Sequence, residues 1–149
     1  MNEINVKIKL LREGAALPVY ATSGSAAFDL RYCGVEPLTI APGARMLVPT
    51  GIAIAPETSG VAALLCARSG LASKRGLTLS NGIGVIDSDY RGEISAAMIN
   101  LGSEPVIIEP GERIAQLMFV PVLQARLIQC DTLDETVRGE GGFGSTGTK

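Results

Sequence analysis

LTIAPGARMLV (residues 38–48) and VIIEPGERIAQL (residues 106–117) are two versions of one pattern. Each has an apolar run, a Pro-Gly pair, an arginine two residues on, and a second apolar run. Proline at the second position of a turn and glycine at the third suit type II geometry, because glycine accepts a positive φ there. Both stretches therefore read as hairpins or as sharp connections between strands. Working outward, Ile4, Val6, Ile8 and Leu10 alternate with Asn5, Lys7 and Lys9, the period of a half-buried strand. Further strands are predicted over 50–55, 61–66, 77–79, 84–86 and 92–100, and one short helix over 69–74. Many short strands punctuated by glycine and proline indicate an all-β, jelly-roll-like sandwich or barrel. No longer repeat is present, so a solenoid is excluded. The expected organisation is a β domain over 1–137 and a tail over 138–149, RGEGGFGSTGTK, with five glycines and one aromatic. Such a tail cannot pack a core and is expected to be flexible on its own.

The 149 residues suffice for one domain. Hydrophobic residues make up 46% but aromatics only 4%, so the core must be built from Val, Ile, Leu and Ala. No apolar run approaches the roughly 20 residues that span a bilayer, and the first residues lack the charged start and apolar centre of a signal peptide. A net charge of −2 argues against nucleic acid held by bulk electrostatics. The chain has no histidine, which removes every Ser-His or Cys-His mechanism and the commonest metal ligand. Acid–base chemistry must fall to Asp, Glu, Lys, Tyr or Cys. Cys33, Cys66 and Cys130 are far apart and form no CxxC pair, so they read as free thiols in a reducing, cytoplasmic compartment.

Five segments could carry chemistry, and each also has a plain structural reading. In SGSAAFDLR (23–31), Asp29 lies between Phe28 and Leu30 and so points away from them on a strand. It is either a surface acid or one that helps hold a hydrated Mg²⁺, which keeps several waters. In ARSGLASKRG (67–76), Ser69 can cap a turn whose N–H groups face an anion, and Arg68 adds a fork of donors suited to phosphate. Otherwise the segment is a solvated basic turn. In LSNGIGVIDSDYRGEI (79–94), Asp87 ends an apolar run, which would desolvate it and suit it to activating water. Asn81 offers the donor and acceptor that a base edge requires. The alternative is a hairpin whose aspartates make the turn. In PGERIAQLMFVPV (110–122), the Gln116 amide sits amid apolar residues and must either be satisfied structurally or face a ligand. In the tail, the order of Thr148 and Lys149 and the lack of a following helix exclude a Walker A loop. Arg138, Phe143 and the glycines around them could still fold over a nucleotide, or the tail could simply be disordered.

Taken in order, these segments resemble the five motifs of the trimeric dUTPase family, from about Tyr20 to Gly147. The third and fifth are the most specific. Two departures are Ala27, where the first motif usually has glycine, and Ala67, where proline usually precedes the second. The resemblance implies a β jelly roll assembled as a homotrimer, with active sites shared between subunits. It implies hydrolysis of dUTP to dUMP and pyrophosphate by water attack on the α-phosphorus. That reaction limits uracil incorporation into DNA and supplies dUMP for thymidylate synthesis. Asp87 matches the water-activating carboxylate. Asn81 with Val85, Ile86 and Asp87 matches the uracil pocket, within a tight hairpin, and Tyr90 matches the residue beneath the deoxyribose. Arg68, Ser69, Gly70 and Gln116 match phosphate contacts, and Asp29 matches the acid holding Mg²⁺ through water. Arg138, Phe143 and Gly144 match the closing tail. The rivals are a dCTP deaminase on a related fold, which would release ammonia from dCTP, and a non-catalytic trimeric scaffold, which need not keep Asp87.

Overall fold

The computed structural model describes residues 3–142; the roles implied for Phe143 and Gly144 lie outside them. The strands are β1 (Val6–Leu10), β2 (Phe28–Arg31), β3 (Leu38–Ile40), β4 (Arg45–Pro49), β5 (Ile52–Pro56), β6 (Val61–Ala67), β7 (Leu77–Leu79), β8 (Gly84–Ile86), β9 (Ser95–Asn100), β10 (Val106–Ile108) and β11 (Arg113–Pro121). Among the described residues there is one helix, α1 (Ser69–Arg75), and it falls where the sequence predicts it. Among the described residues, no helix is long and apolar enough to cross a membrane.

All pairings are antiparallel: a four-stranded sheet β2-β11-β6-β8, a three-stranded sheet β4-β9-β7, and the pairs β1-β5 and β10-β3. The sheets close round one aliphatic core that includes Leu30, Ile40, Val48, Leu65, Met98, Ile114 and Leu117. This is a jelly-roll-like β fold. Both Pro-Gly pairs make turns with glycine at positive φ, Gly43 at 74° and Gly111 at 78°. The turns are closed by Ala44 N–H to Ala41 C=O (3.0 Å) and Glu112 N–H to Glu109 C=O (3.0 Å). Neither makes a hairpin. β3 pairs with β10 while β4 pairs with β9, and β11 leaves β10 to pair with β2 and β6. Of the two sequence readings, the sharp connection is the one realised.

Asn100 is a fully buried polar side chain. Its amide nitrogen donates to the Ile40 and Glu104 carbonyls (2.9 and 2.8 Å), and its oxygen accepts from Gly102 N–H (2.8 Å). Satisfying both ends is what makes such burial tolerable. Among the described residues, regular structure ends with β11. Residues 122–142 form no helix or strand, and Leu123, Leu127, Ile128, Leu133 and Val137 along them are exposed.

Candidate active site

The site is built in two parts. On β2, Phe28 and Leu30 turn into the core, so Asp29 faces outward, as the alternation predicts. Asp29 sits opposite Gln116 of β11, and Gln116 opposite Cys66 of β6, which places all three on one face of the sheet. At the end of β6, Arg68 Nε donates to Asp29 Oδ1 (2.8 Å), and Arg113 Nη1 donates to Oδ2 (3.1 Å). Asp29, Arg68, Ser69, Gly70 and Gln116 line a cleft of about 260 Å³. One carboxylate faces two guanidinium groups, of which Arg68 lines the cleft and Arg113 does not. A side chain added at Gly70 would meet nothing within 4 Å, which leaves the first-turn backbone of α1 open to an approaching anion.

One local expectation is corrected here. Ser69 does not cap α1 with its side chain. Arg68 holds the cap position with extended angles (φ −91°, ψ 128°), continuing the line of β6, and Ser69 is already helical. Its hydroxyl is not used as a cap. Gln116 is partly satisfied within the fold, donating from Nε2 to the Ala67 carbonyl (2.9 Å), and it also lines the cleft. The family departure at Ala67 leaves that carbonyl in place.

The second cleft, also about 260 Å³, is lined by Asn81, Val85, Ile86, Asp87 and Tyr90 together with Glu93. The segment that carries them is not a paired hairpin: β7 joins β9 and β8 joins β6, so it is a corner between two sheets. Gly82 takes φ 72° within it. The expected desolvation of Asp87 is absent in the single chain. β8 is a three-residue edge strand with Val85 66% exposed, and Asp87 at its end is exposed. An edge strand has a neighbour on one side only, so an apolar run there does not guarantee burial.

The two clefts share no lining residue. Each is smaller than the roughly 300–1,000 Å³ of small-ligand pockets. The first suits phosphates; the second offers a carboxylate, an amide and an aromatic ring. Arg138 joins neither cleft; its Nε donates to the Gly141 carbonyl (2.9 Å) in a local turn. Sequence reasoning gives no role to Arg113, Arg12 or Glu93. Arg113 holds Asp29, whereas Arg12 pairs with Glu93, which also accepts from Gly51 N–H (2.8 Å). Arg113 lies within the fourth motif and could have been flagged there. Arg12 and Glu93 are 81 residues apart and leave no local signal.

A family model described as dUTPase matches residues 13–147. The chain is 56% identical over 149 residues to deoxyuridine 5'-triphosphate nucleotidohydrolase of Desulfitobacterium hafniense, covering 99% of each. It is 50% identical over 151 residues to the protein of the same name from Klebsiella pneumoniae, covering 100% of this chain and 99% of that one. Its fold matches the dUTPase of Staphylococcus bacteriophage 80alpha solved with dUpNHpp, with a TM-score of 0.87, 27% identity, and coverage of 97% and 99%. The fold also matches a dUTPase mutant of Staphylococcus aureus phage phi11, whose structure concerns a structural Mg(II) ion (TM-score 0.79, 22% identity, coverage 88% and 99%). With the five motifs in order, the two clefts that the first four build and a full-length match to these relatives, the chain belongs to the dUTPase family.

Proposed function

We propose that this chain is a dUTP diphosphatase that forms dUMP and pyrophosphate, with each active site assembled from the phosphate cleft of one subunit and the nucleoside cleft of another. The observation that carries the shared site is the separation itself. Residues that one nucleotide must touch together lie in two small clefts with no common wall. The exposed apolar arm over 122–137 gives further support, since side chains such as Leu123 and Leu127 find no cover among the described residues of their own chain. So does the outward row of Leu64, Met118 and Val85, which strand register places on the face opposite the core. The family resemblance supports three subunits. The β domain over 1–137 would build the clefts and the tail over 138–149 would close them.

Asp87 is the base. It takes a proton from the water that attacks the α-phosphorus as the bond to the bridging oxygen of pyrophosphate breaks. Burial of Asp87 comes from the bound nucleotide and the neighbouring subunit. Asn81 and the backbone of Val85 to Asp87 read the uracil edge, and the Tyr90 ring lies beneath the deoxyribose. Arg68, Ser69, Gly70 and Gln116 hold the phosphates, with donors already oriented where negative charge grows. Arg138, Phe143 and Gly144 belong to the closing tail.

Among the described residues, no group of three His, Cys, Asp or Glu side chains could hold a metal ion alone. Asp29 fits an outer role: each of its oxygens has one guanidinium donor and capacity for a second donor such as a water. Mg²⁺ would arrive with the triphosphate, keep its waters and neutralise phosphate charge, with Asp29 orienting one of those waters. Three free cysteines, none paired, suit a reducing, cytoplasmic setting. The test is pyrophosphate release from dUTP, dTTP, dCTP and UTP with Mg²⁺. Release from dUTP alone is expected; equal turnover of dTTP or UTP, or ammonia from dCTP, would overturn the reading.

A further inference from the structure

We infer that Gly92 is a specificity-determining position: the space left by its missing side chain is where the Tyr90 ring lies, and that space fixes the ring against the sugar. The inference rests on Tyr90 facing the deoxyribose. A Cβ built on Gly92 would come within 2.5 Å of Tyr90 Cζ and 3.0 Å of Cε2. The backbone of Gly92 is not in the left-handed region, so conformation does not demand glycine there. The ring does.

The backbone around the ring is pinned on both sides. Arg91 Nη1 donates to the Ser88 carbonyl (2.8 Å) and the Tyr90 carbonyl (3.0 Å), and Tyr90 N–H donates to the Asp87 carbonyl (3.1 Å). Beyond Gly92, the Glu93 carboxylate holds Gly51 N–H and Arg12, and Ile94 N–H donates to the Ile52 carbonyl (2.9 Å). Tyr90 Oη donates to the Glu93 carbonyl (3.2 Å), turning the ring back over Gly92. With the main chain held, a side chain at 92 must be accommodated by the ring. Tyr90 is 47% exposed at the mouth of its cleft, so the ring can swing into solvent at small cost to stability.

The same construction occurs once more in the chain, in the core. Tyr32 Oη donates to the Glu36 carbonyl (3.0 Å), and a Cβ on Gly34 would lie 2.6 Å from Tyr32 Cε2. Tyr32 is only 8% exposed and has nowhere to move. One Tyr-X-Gly unit is thus structural, and the other presents its ring to a cleft. Gly92 is a positioning residue acting through Tyr90, and Gly34 is its internal control.

The experiment measures kcat/KM for dUTP and UTP, and Tm, in the wild type, Gly92→Ala, Tyr90→Ala, the double variant and Gly34→Ala. Gly92→Ala should lower the dUTP:UTP ratio by about tenfold or more, the scale on which pocket shape discriminates between similar substrates. In the Tyr90→Ala background the same change should shift the ratio by less than about twofold, because non-additivity marks residues that act on one another. Gly34→Ala should lower Tm and leave the ratio unchanged. If Gly92→Ala alone does not fold, the double variant, which lacks the ring, should; failure of both to fold would overturn the inference. An unchanged ratio in Gly92→Ala, or an equal shift in both backgrounds, would overturn it while Tyr90 keeps its role. An unchanged ratio in Tyr90→Ala would remove the Tyr90 reading and this inference together.

Discussion

Asp87 shows how far a single residue can be read from its neighbours. It follows Gly84-Val85-Ile86, and an apolar run before a carboxylate suggests a desolvated base. The run is an edge strand, however, and the carboxylate is exposed. Nothing in a three-residue run distinguishes an edge strand from a central one. Asp29 was legible for the opposite reason: between Phe28 and Leu30, period two leaves it one direction to face. Its second partner, Arg113, is 84 residues away and could be seen only in three dimensions. The role of Asp87 is testable without disturbing the fold, since Asp87→Asn keeps shape and removes basicity. Turnover should fall by about 10²–10⁴-fold with KM for dUTP nearly unchanged. Steady-state kinetics decide this, and a variant within a few-fold of wild-type kcat would remove Asp87 as the base.

Elements were legible where their ends carry backbone signals. The helix over 69–75 closes on Gly76, which takes φ 65° and donates its N–H to the Ala72 carbonyl (3.1 Å), with Lys74 and Arg75 in the last turn. The Pro-Gly pairs fixed the turns but not which strands meet across them. Whether such a turn closes a hairpin or moves the chain to another sheet is set by long-range pairing, β3 with β10 and β4 with β9. At Gly76 two constraints coincide: positive φ, and a close approach that would bring a Cβ within 2.5 Å of the Gly102 nitrogen. Gly76→Ala should therefore destabilise by more than the roughly 1 kcal/mol of left-handed strain alone, about 2 kcal/mol or more. A urea midpoint within error of wild type would contradict the packing described for this corner.

At the scale of the molecule, the five motifs in order identify the family, but no local pattern says that the residues of the first four divide between two clefts. Nor does composition reveal that, among the described residues, regular structure stops at Pro121 and leaves an apolar arm uncovered. A chain stopped after residue 124 should keep its β circular dichroism, since the core cluster lies before that point. It should lose assembly by sedimentation and lose dUTP turnover; an active trimer would show the arm to be dispensable. The central claim is that base and phosphate cleft in one site come from different chains. The direct measurement mixes two inactive proteins, Asp87→Asn and Arg68→Gln, in equal amounts, denatures and refolds them together, and assays dUTP hydrolysis. With random assembly, each half of a site is intact half the time, so about one quarter of wild-type activity should return. If both halves belonged to one chain, every site would keep a defect, and mixed trimers confirmed by mass would stay inactive.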